Sequence, residues 1–120
     1  MISRQKTKRV IDKKYLKNIC SYGCVITGQE AIPHHLKGGY KQGGGKVSDH
    51  LTFPLSDKYH SAVYDTGLHK DWQKWENTHG EQTSFIKNTL DKALNDGYIS
   101  VENWEIAYGE CVDLQIRFRG

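Results

Sequence analysis

A chain of 120 residues, 37% hydrophobic and 26% charged, holds one domain with a modest core and little surplus burial, so any active site must lie shallow and near the surface. No apolar run approaches the roughly 20 residues of a membrane span, the first residues lead into no apolar segment or small-residue cleavage site, and Cys20, Cys24 and Cys111 do not resemble a secreted disulfide framework. The expectation is a cytoplasmic protein with reduced thiols and no membrane association. Its net charge of only +3 hides a basic N-terminus, where Arg4, Lys6, Lys8, Arg9, Lys13, Lys14 and Lys17 face only Asp12. That asymmetry suits a polyanion partner or a solvated basic tail.

In chain order, Met1 to about Arg9 lacks apolar periodicity and reads as a mobile basic arm, able to lie along a phosphate backbone. Val10, Ile11, Tyr15 and Ile19 suit a short amphipathic helix or a turn into the core. Cys24 to Gly28 reads as a strand ending in a tight turn, and Ala31 to His35 as the returning strand with Pro33 at its edge. Gly38, Gly39 and Gly43 to Gly45, with Lys37, Lys41 and Lys46, make a long loop. Ser48 to Leu55 returns as a second apolar strand, with Leu51, Phe53 and Leu55 alternating toward one face. Ser56 and Asp57 start a helix carrying Tyr59, His60, Val63 and Tyr64, which Gly67 breaks. Leu68, Trp72, Trp75 and His79 recur at helical steps up to Gly80, and a third helix runs from about Thr83 to Asn95 with Phe85, Ile86, Leu90, Ala93 and Leu94 on its apolar stripe. Val112, Leu114, Ile116 and Phe118 alternate like a C-terminal strand. The fold class expected is α+β.

Four of the six histidines fall between Ile32 and Tyr64. Adjacent histidines on a strand, followed by another about 25 residues later on a helix, can bring two imidazoles to one cation. Neutral imidazole suits Zn, Mn, Ni or Fe and tolerates Mg when oxygens complete its shell. Because neighbouring strand side chains point to opposite faces, His34 and His35 cannot both ligate one ion while the strand lasts. That geometry favours a division of labour, in which one ring ligates and the other acts as base, which for a phosphodiester would deprotonate the attacking water; the alternative is that these histidines are polar loop residues.

His34-His35, a glycine-rich loop, Asp49-His50-Leu-Thr-Phe-Pro-Leu55 and His60 at a helix start together resemble the HNH endonucleases, which share a ββα metal finger. The resemblance is nearer to their phage and prophage branch of RecA-dependent nucleases, Ref-like and YbcO-like, and covers roughly Cys24 to Leu94. Joined to the N-terminal charge and the C-terminal alternation, it leads to the expectation of a basic arm over residues 1–17 and one nuclease domain over 18–120. Within that domain lie a ββα core at about 24–66, helical support at about 68–96 and the C-terminal strand at about 110–118.

It also implies a metal-dependent DNA endonuclease of recombination or repair, in a bacterial cytoplasm, acting on DNA that includes single strands held by RecA. The cofactor implied is a divalent ion, Mg, Mn or Zn. His34 and His60 become metal ligands and His35 the general base. His50 takes the middle position, usually asparagine, where it must hydrogen-bond the opposite backbone or become an extra ligand. Tyr64 stands where some members place a third histidine, so water, substrate phosphate or His69 is left to complete the shell. The two zinc knuckles of many relatives correspond here to Cys24, Thr27, Ser56 and Tyr59, too few thiols for a structural zinc.

The remaining signals carry two readings each. Lys37, Lys41 and Lys46 suit phosphate contacts from a loop that approaches a DNA backbone, or a merely flexible connection. Arg4, Lys6, Lys8 and Arg9 would add sequence-independent affinity for DNA. Trp72 and Trp75 could stack on bases, though their spacing beside Leu68 favours core. Asp49 could orient a histidine or shape a turn. The rival function is a non-catalytic DNA-binding or recombination-accessory module that keeps a degenerate finger.

Overall fold

The computed structural model describes residues 9–37 and 47–118. The expected arm residues Arg4, Lys6 and Lys8, the glycine loop, and Lys41 and Lys46 lie outside the described residues. The chain is α+β. It has two antiparallel strands and five helices among the described residues, none long and apolar enough to cross a membrane. Cys20, Cys24 and Cys111 are all free thiols.

Helix α1 spans Lys13–Cys20. Asp12 caps it, its Oδ1 accepting the Tyr15 amide at 3.0 Å, which satisfies one of the donors a helix start leaves open. Tyr15 and Ile19, four apart, are buried against the sheet, while Lys13, Lys14 and Lys17 face outward. Ile11, expected on the apolar side, is 66% exposed.

The strand expected at Cys24 to Gly28 is absent. The Gly28 amide bonds the Cys24 carbonyl at 2.8 Å and the Cys24 amide bonds the Gln29 carbonyl at 2.8 Å, so the segment closes on itself and spends the groups a ladder needs. Gly23 starts this turn at φ +83°, where a Cβ would meet the Gly28 carbonyl oxygen at 2.5 Å.

Strands β1 (Ile32–His35) and β2 (Thr52–Leu55) pair with His34 opposite Phe53 and Pro33 opposite Pro54. Pro54 turns its carbonyl outward to the Val25 amide at 3.0 Å, so the two prolines share a position where the ladder asks for no N–H. All four β2 residues are buried. Residues 48–51, expected as strand, form a turn instead, its Leu51 amide bonded to the Ser48 carbonyl at 3.0 Å.

Helix α2 is one turn, Asp57–His60, shorter than expected. The Tyr59 and His60 carbonyls, which a longer helix would give to Val63 and Tyr64, accept instead from Leu68 at 2.8 Å and His69 at 3.1 Å. Val63 is 84% exposed, so burial does not favour extending the helix.

Helices α3 (Trp72–His79) and α4 (Gln82–Asn95) follow the expected stripes, with Gly80 and Gly97 at positive φ just beyond their ends. Phe53 stacks on Phe85 at 5.4 Å, and Trp75 meets Phe85 edge-on at 5.6 Å. Trp75 is therefore core, and Trp72 packs against the same cluster.

The expected C-terminal strand at about 110–118 is instead the last part of helix α5, Val101–Phe118. Trp104, Ala107, Tyr108, Cys111 and Leu114 recur every three or four residues and pack on the core, with Ala107 and Cys111 buried. The alternation over Val112 to Ile116 crosses this stripe and leaves Ile116 69% exposed.

Candidate metal centre

Three histidines from different parts of the fold converge. His34 comes from β1, His60 ends α2, and His69 follows the loop that returns to α2. One ligand atom from each lies within 4.8 Å of the others. The Nε2 atoms of His60 and His69 are 3.0 Å apart. The return of that loop depends on Gly67, where a Cβ would sit 1.7 Å from the Ser61 carbonyl oxygen. A Cβ there would force the backbone at residue 61 or 67 to shift, in the same loop that carries the chain from His60 back to His69.

His34 is 1% exposed. Its Nε2 lies 3.0 Å from Oε1 of Gln82, the first residue of α4. The Gln82 amide is oriented by the Lys37 backbone, its Oε1 accepting the Lys37 N–H at 3.1 Å and its Nε2 donating to the Lys37 carbonyl at 2.8 Å. Oε1 is therefore an acceptor, His34 Nε2 carries the proton, and Nδ1 is left with a bare lone pair. That nitrogen is buried without a partner.

Burial pushes His34 down to about 3, against the Gln82 bond and with help from the neighbouring histidines. Burial, then His60 and Lys37, bring His69 to about 4, and burial also lowers His60. All three rings are neutral near pH 7, the form that ligates a cation without first losing a proton. A buried orphan nitrogen among neutral imidazoles is a donor set that fits a borderline metal ion. Lys37 Nζ bonds His69 Nδ1, placing an ammonium beside the cluster.

His35, next on β1, turns to the other face. Its Nε2 lies 2.8 Å from Oδ1 of Asp49, which is 2% exposed. Burial alone would raise the Asp49 carboxyl, but bonds from the His35 ring and the Asp12 amide, with the charges of His35 and Arg9, hold it below the usual range. Both readings of Asp49 find contacts: its carboxylate meets His35, and it lies in the 48–51 turn with its carbonyl accepting Thr52 Oγ1 at 2.7 Å.

His50 takes neither expected place. Its Nε2 bonds Asp12 Oδ2 at 2.9 Å and its ring meets Tyr15 edge-on at 4.9 Å, tying the α1 cap to the start of β2. Tyr64, 43% exposed on the loop, does not join the cluster because α2 ends before it; His69 stands in the third place. Arg9, expected on DNA, bonds Asp49 and Val47 while its side chain stays 37% exposed.

At the knuckle positions, Cys24 Sγ accepts the Ile26 amide at 3.4 Å. Burial alone would raise this thiol, yet the polar groups of Thr27 and Ser56 beside it bring it to about 7. Tyr59 meets the His79 ring at 5.5 Å. His79 ends α3 as expected, but burial lowers its pKa and favours a packed neutral ring there. Sequence reasoning missed Gln82. Extending the α4 stripe one turn back from Ile86 lands on it, a polar residue at a core position.

The fold and cluster define a small α+β domain with a three-histidine centre beside an aspartate-bound histidine. Residues 1–97 match the family described as "Protein of unknown function (DUF968)", and the chain belongs to that family. It is similar to "Uncharacterized protein YdfU" of Escherichia coli strain K12, 32% identical over 97 residues that make up 79% of this chain and 26% of that protein. The chain thus matches about a quarter of that relative's length. No solved structure matches it. The centre from His34 to Gln82 lies inside the family-matched segment, and α5, which starts at Val101, lies wholly outside it.

Proposed function

We propose that this domain is a metal-dependent DNA endonuclease built on an HNH-type ββα finger, β1–β2–α2. The observation that carries this reading is the division of two adjacent side chains on β1. His34 joins the buried imidazole cluster, and His35 pairs with a buried carboxylate on the opposite side.

His34, His60 and His69 would hold a divalent ion, Zn, Mn or Mg, which when bound supplies neutralisation of charge on the phosphodiester and its leaving oxygen. Asp49, held ionised, accepts the proton on His35 Nε2, so His35 Nδ1 keeps its lone pair and serves as general base for an attacking water. Side-chain exposure of 26% leaves the His35 ring open to that water. Lys37 would draw the phosphate backbone toward the cluster, with the lysines on the outer face of α1 adding affinity that weakens with salt. The resemblance to RecA-dependent nucleases makes RecA-held single strands a substrate to include.

The test incubates supercoiled and single-stranded DNA with Mg²⁺ or Mn²⁺, with and without RecA, comparing wild type with His35→Ala. Cutting that falls by roughly 10²–10⁴ in the variant is expected. Absence of cutting by wild type in every arm refutes the enzyme reading and leaves the DNA-binding module. Equal cutting by the variant refutes His35 as base.

A further inference from the structure

We infer that Arg9 is a positioning residue for the base His35 and not a contact to substrate phosphate, an inference that rests on the nuclease reading. The segment Arg9 to Asp12 wraps Asp49. Arg9 Nη2 donates to Asp49 Oδ1 at 3.2 Å, and its Nε donates to the Val47 carbonyl at 3.1 Å. The Asp12 amide donates to Asp49 Oδ2 at 2.8 Å, while the Asp49 amide donates back to the Val10 carbonyl at 2.9 Å. Both carboxylate oxygens are thus held from the N-terminal side, and Oδ1 is shared between Arg9 and the His35 ring.

The geometry of Arg9 explains why it is an arginine. One planar guanidinium spans a carbonyl and a carboxylate at once, bridging the chain where it re-enters at Val47 to the partner of the base. A lysine carries the same charge on one nitrogen and lacks that fork. Asp49 is 2% exposed, so a carboxylate released by Arg9 has little water to replace the lost donor and would rotate within the space left to it. His35 would follow, because its Nε2 is held only through Asp49 Oδ1 among the described contacts.

Charge and geometry separate in the 120-residue chain through Arg9→Lys and Arg9→Gln. Substituting outer residues that hold an orienting partner typically costs 10- to 100-fold in activity. Both variants are expected to lose roughly tenfold or more in kcat with KM and salt dependence unchanged. If Arg9→Lys matches wild type while Arg9→Gln raises KM and flattens the salt dependence, Arg9 is a phosphate contact and the inference is overturned.

A second readout does not need cleavage. In wild type the His35 Nε2 proton, shared with Asp49, should give a downfield imidazole resonance in proton NMR, assigned by its loss in His35→Gln. Arg9→Lys should shift or broaden it. An unchanged resonance in Arg9→Lys refutes the positioning role even if wild type cuts no DNA, whereas a shifted one with no cutting refutes only the nuclease reading.

Discussion

Replacing Gln82 with leucine, nearly the same volume without the amide, removes three hydrogen bonds at 3.0, 3.1 and 2.8 Å. The proton on His34 Nε2 is left unpaired in a residue 1% exposed, which costs about 1–3 kcal/mol. The two Lys37 backbone groups lie on an exposed residue and can recover water, so they add a fraction of that amount. The sum is about 1–4 kcal/mol, a melting point roughly 5–20 °C lower for a domain of this size. His34 also loses the partner that fixes its tautomer, so metal affinity should fall roughly 10- to 100-fold. Urea unfolding followed by circular dichroism in EDTA measures the first effect, and calorimetric titration with Zn²⁺ or Mn²⁺ the second. A Gln82→Leu protein within about 0.5 kcal/mol of wild type, with unchanged metal binding, would refute both the satisfied network and its link to the cluster.

Gly67→Ala should open the 61–68 loop, because its Cβ would lie 1.7 Å from the Ser61 carbonyl; metal affinity should drop as in His69→Ala, and affinity equal to wild type would show that the loop can move aside without displacing His69. In the metal-free chain, stability should be full above about pH 6.5 and fall as the pH drops toward the depressed value of about 3 for His34, since the unfolded imidazole takes a proton that the folded one refuses. The loss is roughly 1.4 kcal/mol per unit of depression; denaturant midpoints between pH 4 and 7 report it, and a flat profile would count against a neutral buried ring. Ala107→Glu places a carboxylate at a site 3% exposed between α5 and α4, and should lower both helical circular dichroism and the melting point. Tolerance of that change would argue for a loop at residue 107. Deleting residues 1–17 should unfold the domain rather than merely weaken DNA retention, because Tyr15 lies in the core; a cooperative melt in the truncated chain would contradict this.

Helices α3 and α4 were legible because their signals are local, although α3 begins at Trp72 and not near Leu68, while α1 was left between a helix and a turn. Asp12 and Asp71 cap their own helices, glycines close α3 and α4, and each apolar stripe needs only a generic core to face. Strand β1 was legible for the same reason, as was the separation of His34 from His35, which follows from the period of a strand. Where the reading failed, the causes were a local turn in one place and a returning loop in another. Residues 24–28 form a turn because Gly28 bonds Cys24, and α2 stops because Leu68 and His69 claim its carbonyls. In α5 two periodicities overlap, and the one that buries Ala107 and Cys111 prevailed over the alternation near the end.

The histidines divide in the same way. From its residues alone, this chain declared a domain-sized core, a basic N-terminus and a pair of neighbouring imidazoles pointing apart, because composition and backbone period do not depend on what lies far along the chain. Only tertiary structure decided that His69 and not Tyr64 approaches His60, that His50 serves Asp12, that Gln82 holds His34 and that Arg9 bonds Asp49. Each of those choices is made by a hydrogen bond or a close approach between residues brought together by the packed core, and no spacing in the sequence encodes which distant polar group will be there to meet them.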